Sequence, residues 1–535
     1  MKKMKRFATI AAATVMAVSM VSISAFAATT ESGYTITVND GTAGYTYEAY
    51  QVFTGSLSGT VLTNIKWGDG VDGSAIVTDL ANSTTLSGFT PGMTAAQVAE
   101  KVEEYDDGSA EAQAFAKIVG ANLTTTTSGT VNDGKTISNL PAGYYIVKNN
   151  AVPENGSYTN FMLKISADKE VTPKRSVPTL EKKVLEESFN ATIYGKGYND
   201  VADYDIGDDV PFELIGTLPN NFGSYETYSY TFTDTLGAGL TFNGVDSVKV
   251  YYDNDNDLSN GFDGEITSNF TTTADGVNAQ KFTVSCDNIK DITGITADSK
   301  IIVQYTAELN TDAVIGLDGN VNTANLTYSN NPNNSGAGNT DTGKTPDDKV
   351  IVFTYQLDTT KVDASTSDKL QGAKFKLMRN DSKWAIVDEN GKVTGWSDTE
   401  AGGTELVSDA NGLFSVIGID DGVYELKETE APANYNKLTS NVKLTIVATT
   451  ANNQAWNGTA NTALTGLTIK VGNTAAPTNG NLTTGTVSTT IKNNKGSTLP
   501  ETGGIGTKIF TVAGGTIVVG AGVLLITKKR MKKED

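Results

Sequence analysis

The residue types able to do chemistry are few in this chain, and the most unusual group of them stands near its end. "LPETG" at 499–503 sets Leu499, Pro500, Glu501, Thr502 and Gly503 in a row. Pro500 holds the backbone extended, which preorganises the segment to lie along a groove, and Gly503 lets another molecule approach the backbone closely. A second group, "DNDNDLSNGFDGE" at 253–265, spaces Asp253, Asp255 and Asp257 like the first ligands of a calcium loop. The spacing then fails, because Leu258 stands where glycine is needed and Gly264 where glutamate is needed, so a solvated turn is expected and no metal or cofactor. The chain has one cysteine and no histidine. A disulfide within the chain, a histidine-dependent triad, a histidine-ligated zinc site and a haem histidine are therefore excluded. Cys286 in "FTVSCDNI" reads as a small buried hydrophobe.

Both ends of the chain carry membrane-directed signals. "MKKMKR", the apolar "FATIAAATVMAVSMVSI" and small residues at Ala25 and Ala27 have the layout of a secretory signal peptide over 1–27. At the other end, 509–527 holds no charge and is about long enough to cross a hydrocarbon core as a helix. Lys528, Lys529, Arg530, Lys532 and Lys533 follow, and such residues stay on the cytoplasmic side. The net charge is −20; the leader and the segment after Thr502 each hold +4, which leaves −28 on 28–502. A surface so acidic favours solubility and discourages nucleic acid as a partner.

Between the ends, alternation and turn spacing predict a mainly β chain of three tandem immunoglobulin-like β-sandwich units. The first, 28–172, opens with "YTITV" and "YTYEAYQVF" and returns to strand at "AGYYIVKNN" and "NFMLKISA". It also holds two helices, "TAAQVAEKVEEY" and "SAEAQAFAKIVG", capped by Thr94 and Ser109 and stopped near Gly108 and Gly120. The connector "EVTPKRSVPTLEKKV" is kept extended by Pro173 and Pro178. The second unit, 173–345, carries "YSYTFTDTL", "VDSVKVYY", "KIIVQYTAEL" and "ANLTYS" and closes in a polar, turn-rich linker. The third, 346–496, runs from "IVFTYQL" through "AKFKLMR", "LFSVIGI", "GVYELKE" and "KLTIVA" to "VSTTIKN"; 497–535 is the tail. "GYYIVKNNAVP" (143–153) superimposes on "GVYELKETEAP" (422–432), with Asn149 at the register of Glu428.

With an apolar run and basic residues behind it, "LPETG" resembles the LPxTG signal read by sortase transpeptidases. That resemblance implies cleavage between Thr502 and Gly503 and transfer of the Thr502 acyl group to an amine. "EVTPKRSVPTLEKKV" resembles the pilin-motif region of sortase-assembled pilus backbone subunits of Gram-positive bacteria, and Lys174 beside Pro173 would be the amine. Thr172 stands where that motif commonly has tyrosine, and Lys169 is the alternative. "DYDIGDDVPFEL", "YSYTFTDTLGAGLTF" and "NTANLTYSNNP" look like the collagen-adhesin-A-like domain of such pilins. "TTKVDASTSDKLQGAKFKLMR", "GVYELKETEAP" and "TTIKNNKG" look like a Cna-B-like domain.

In both domain types the resemblance implies a first-strand lysine bonded to a last-strand asparagine beside an acid. Burial lowers a lysine pKa towards the nucleophilic neutral amine, and raises that of a carboxylic acid, which then polarises the asparagine carbonyl. In the third unit the set is Lys361, Asn493 and Glu428, with Asn494 as the competing acceptor; Tyr424 and Leu426 share the face of Glu428. In the second it is Lys182, Asn322 and Asp234. Lys182 shares a face with Leu180 and Val184 while Lys183 points away, and Asn322 shares one with Ala324, Leu326 and Tyr328 while Asn325 does not. Asp234 is assigned to the face opposite Phe232, so its inward orientation is implied by the resemblance alone. The first unit has Asn149 at the acid register and no lysine in its opening strand, and no bond is expected there.

The resemblance implies a structural subunit of a covalent cell-surface pilus and no enzyme beyond its own bond formation. The implied partners are pilus-specific and housekeeping sortases, identical subunits, accessory pilins and peptidoglycan, with a host ligand left open. The location would be the wall of a Gram-positive cell, with the membrane only a transient stop. A monomeric wall-anchored adhesin binding host matrix is the alternative. A secreted hydrolase is disfavoured, because no paired acids in an enzyme context are evident.

Overall fold

The computed structural model describes residues 33–531 apart from 40–41, 107, 133–134, 174, 187–196, 256, 277–278, 334–340, 452–455, 457, 474 and 497–504. The leader at 1–27, Lys174 and the pentapeptide at 499–503 lie outside the described residues.

Alternating sequences form sheets throughout, because period-two patterns leave each strand one apolar face to bury. In the first unit a three-stranded sheet centres on Tyr34–Val38, and a five-stranded sheet centres on Thr46–Ser58 and Gly143–Ala151. Both expected helices form. Ala95–Val102 starts at Thr94 in a full capping box with Gln97, and Ala110–Ala121 starts at Ser109. The first ends at Val102, short of Gly108, and the second runs through Gly120. An unexpected helix, Gly73–Asn82, is capped by the Asp72 carboxylate, which accepts from the Ser74 and Ala75 amides. Its Gly73 and Ser74 start masked the pattern, although Ile76, Val77 and Leu80 bury one face.

The second unit packs two seven-stranded sheets. One holds the strand Leu180–Leu185 beside Asp209–Thr217 and then Lys300–Leu309. The other holds Asn320–Ser329 between Tyr230–Leu236 and Asp348–Phe353. The third unit sets the three-stranded sheet of Leu413–Ile419, Tyr355–Asp363 and Thr486–Asn493 with an eight-stranded one. Its first and last strands run parallel, with Lys361 opposite Ile491 and Asp363 opposite Asn493.

The run "IVFTYQL" does not form one strand of the third unit. It divides at Thr354: Asp348–Phe353 completes the second unit's sheet and Tyr355 opens the third. The second unit's sheet thus reaches Phe353, past the expected 345. Val350, Ile351, Val352 and Phe353 are all fully buried, and no Gly or Pro marks the crossing, so periodicity carried no sign of it. One continuous apolar core spans the second and third units, while the first has its own.

Candidate functional site

In the third unit Lys361 projects from the first strand and Asn493 from the last, both fully enclosed between the sheets. The Lys361 Nζ lies 2.5 Å from Asn493 Oδ1. The Asn493 amide nitrogen donates to Glu428 Oε1 at 2.8 Å, and that oxygen is 3.6 Å from Lys361 Nζ. Glu428 Oε2 accepts the Leu438 backbone N–H at 2.7 Å, which fixes the carboxyl. Burial lowers the Lys361 pKa to about 8, against the opposing pull of Glu428. Phe375 supplies the apolar wall, its ring centroid 5.7 Å from Nζ. Glu428 therefore meets the asparagine at its nitrogen, the leaving end of the amide, rather than at the carbonyl oxygen.

In the second unit Lys182, Asp234 and Asn322 are fully buried and converge on a residue that sequence reasoning missed, Tyr305. Lys182 Nζ donates to Asp234 Oδ2 and, at 2.8 Å, to the Tyr305 hydroxyl. That hydroxyl donates to Asp234 Oδ2 at 2.8 Å and accepts from the Asn322 amide nitrogen at 2.8 Å. Tyr305 is thus the hub joining the amine, the acid and the amide. Phe212 and Tyr305 rings lie 5.2 and 5.3 Å from Nζ. Burial lowers the Lys182 pKa against the pull of Asp234. Burial also raises Asp234, opposed by Lys182 and Tyr305. Asp234 Oδ1 and Asn322 Oδ1 are buried without hydrogen-bond partners, a costly state. The signal for Tyr305 was present in "KIIVQYTAEL", where Ile301, Val303 and Tyr305 share the buried face.

Asp234 is on the same face as Phe232, not the opposite one: the strand reads buried at 230, 232, 234 and 236. Residues two apart always share a face, so alternation alone places it inward.

The competing residues fall elsewhere. Lys183 points to the other face and pairs with Asp200 at 2.6 Å. Asn325 donates to Asp347 at 2.9 Å on the exposed side. Asn494 is exposed, next to the buried Asn493. In the first unit Asn149 is buried, and its side-chain oxygen accepts the Thr159 N–H at 2.7 Å. Lys169 sits half-buried on Lys169–Val171, which pairs parallel with the opening strand. In the 253–265 loop, Asp255 accepts from the Asp257 N–H and the Asn260 amide, each at 2.8 Å, and these bonds hold its carboxyl below the usual range. Cys286 is buried, and burial raises its thiol pKa. The C-terminal helix, Ile505–Met531, holds a span at Ile509–Lys529 long and apolar enough to cross a membrane.

Comparison with known proteins adds to this geometry. Residues 206–332 match the family described as Gram-positive pilin backbone subunit 2, Cna-B-like domain. Residues 355–461 match a prealbumin-like fold domain, and 491–535 match the LPXTG cell wall anchor motif. The second unit's profile is thus described as Cna-B-like, where the resemblance implied a collagen-adhesin-A-like domain. The trypsin-resistant surface T6 protein of Streptococcus pyogenes serotype M6 is 29% identical over 279 residues, which take in 43% of this chain and 48% of that one. The chain thus matches about half the length of this curated relative. The solved structure of the T6 backbone pilin of S. pyogenes, described as modular and three-domain, is 20% identical with a TM-score of 0.50, covering 87% of this chain and 98% of that one. That likeness supports the fold. The chain thus carries a pilin-backbone domain at 206–332, a prealbumin-like domain at 355–461 and a wall-anchor motif at 491–535, and in these parts it is similar to the backbone pilins of Gram-positive bacteria.

Proposed function

We propose that the chain is the major backbone subunit of a covalent pilus. Sortase joins Thr502 of one subunit to Lys174 of the next, and the finished polymer is passed to peptidoglycan. Within each subunit, Lys182–Asn322 and Lys361–Asn493 amides harden the second and third units. The observation that carries this reading is the pilin-backbone match at 206–332 on a chain that also carries a wall-anchor motif at 491–535. Immunoblots of wall extracts test it: a ladder of regularly spaced high-mass species supports the polymer, and a single discrete band supports a lone wall-anchored adhesin instead.

The bond-forming step balances without a cofactor. The neutral Lys361 amine attacks the Asn493 carboxamide carbon, a new C–N bond forms, the old one breaks, and ammonia leaves. Glu428, set on the departing nitrogen, moves the proton from the attacking amine to that group. Proximity replaces an enzyme, since both partners already stand in contact inside a closed core.

A pH dependence follows. Only the neutral Lys361 amine can attack, so closure depends on its ammonium form losing one proton. That proton leaves as pH rises through the Lys361 value of about 8. The closure rate of newly folded chain should therefore rise by about tenfold per unit up to that pH and level off above it. In Glu428→Gln closure should be slower at every pH, because nothing carries the proton from the amine to the departing nitrogen. Acid quenching and mass spectrometry at each pH check both limbs.

In the second unit Tyr305→Phe removes only the hydroxyl that links Lys182, Asp234 and Asn322. Losing one buried hydrogen-bonding group costs about 1–3 kcal/mol, so the fold should persist. Bond closure in that unit should stall, leaving a mass deficit of about 17 Da for one ammonia instead of about 34 Da for two. A full deficit formed at the wild-type rate would show that Tyr305 only packs.

A further inference from the structure

A second cluster lies apart from both amide sites, where the chain crosses from the second unit to the third. Asp203 ends the strand Val201–Asp203, which pairs with Asp348–Phe353 one residue before Tyr355 opens the third unit. Asp420 and Asp421 form the turn between Leu413–Ile419 and Gly422–Glu430. One carboxylate oxygen from each of the three lies within 4.8 Å of the others. Calcium–oxygen distances of about 2.3–2.6 Å put opposite ligands of one ion about 5 Å apart, so the three fit a single coordination shell.

One buried carboxylate oxygen here lacks a partner. Asp203 is 8% exposed and its Oδ2 makes no hydrogen bond. Tyr355 is 0% exposed; its hydroxyl is set against the Asp203 carboxylate and faces the charges of Asp420 and Asp421. The other charges facing the three aspartates are themselves acidic, Glu186 and Asp205. Asp205 differs from the three: Arg379 reaches it at 2.7 Å, and it accepts the Asp420 N–H and the Tyr424 hydroxyl. Asp421 accepts the Ala448 N–H on Oδ2 and Asp420 accepts the Asp421 N–H on Oδ1, leaving each a second oxygen. Carboxylates crowded together without a counter-charge, here one buried and two half-buried, are unfavourable unless protonated or bound to a cation.

We propose that Asp203, Asp420 and Asp421 bind one calcium ion that ties the second unit to the third. The donors are all oxygen and come from two different units, which suits the flexible shell of calcium better than the rigid octahedron of magnesium. The surroundings are already close-packed. The Ile206 N–H donates to Gly418 O at 3.0 Å, and Gly418, at φ +89°, leaves no room for a Cβ, which would come 2.3 Å from Ile206 Cδ1. An ion here would hold the angle between two units that share one core, at a point where tension passes from one to the next.

The test uses the full-length chain in detergent, stripped with EGTA and titrated with calcium chloride in a calorimeter, with magnesium chloride in parallel. One calcium per chain is expected, with Kd in the range of about 10⁻⁴–10⁻³ M typical of extracellular modules. Asp203→Asn, and separately the double variant Asp420→Asn with Asp421→Asn, should weaken it by more than about tenfold. Asp255→Asn with Asp257→Asn should leave it unchanged. Calcium should also slow amide exchange at 203–206 and 418–422. Loss of binding only in the Asp255/Asp257 variant, equal affinity for magnesium, or no binding up to about 10 mM calcium would each overturn the assignment.

Discussion

Glu428→Ala should leave the protein about 17 Da heavier than Glu428 would predict after allowing for the substituted side chain, because one ammonia is retained. Lys361 and Asn493 stay in contact in that variant, but nothing carries the proton to the leaving nitrogen that Glu428 Oε1 now accepts from at 2.8 Å. The amide would close a loop over the 132-residue separation of Lys361 and Asn493. The chain-entropy relation for a cross-link of that length gives about 5 kcal/mol, so the third unit should melt many degrees lower. Under tension the difference is larger still. The first and last strands of the third unit run parallel, so a pull on the two ends shears them. With the amide present, load passes from Lys361 directly to Asn493 and the chain between them bears none. Without it, single-molecule extension should release up to about 470 Å at roughly 3.6 Å per residue. Wild-type extension of equal length would refute the bond.

Lys174→Ala should abolish the high-mass ladder in wall extracts and leave a single wall-attached species, since the Thr502 acyl group would lose its subunit acceptor while keeping the peptidoglycan route. Lys169→Ala is the decisive companion. Lys169 lies on a strand paired with the opening strand of the first unit, through Ile36 and Thr37. A backbone so engaged is poorly placed to present its side chain in another enzyme's groove, so the ladder should survive that change. A ladder lost with Lys169→Ala and kept with Lys174→Ala would transfer the role. Ladders kept in both would place the acceptor on another lysine, whereas a single band from the unaltered chain would leave it a lone anchored protein.

Several features of local structure are legible in the residue pattern alone. Lys182 faces the core between the sheets while Lys183 takes the opposite face and pairs with buried Asp200, and Asn322 faces inward while Asn325 pairs with exposed Asp347. These follow from the period of two, and so does the inward face of Asp234, which shares parity with Phe232. The Thr94 and Ser109 caps were equally legible, because a capping side chain bonds to an amide only a few residues on. The helix Gly73–Asn82 escaped because its small polar start carries no apolar period, and its cap is Asp72, outside any run that invited a helix.

By itself the sequence determined what is local: which side of each strand a residue occupies, where helices begin, and the presence of an anchor with its apolar span and basic end. Only the tertiary structure decided that Tyr305, 123 positions from Lys182, stands at the centre of the second unit's site, that one apolar run serves two sheets, and that three aspartates meet at the junction. The physical reason is range: strand alternation and capping act over a few residues, whereas which buried polar groups come together is set by how whole sheets stack, and no spacing along the chain encodes that distance.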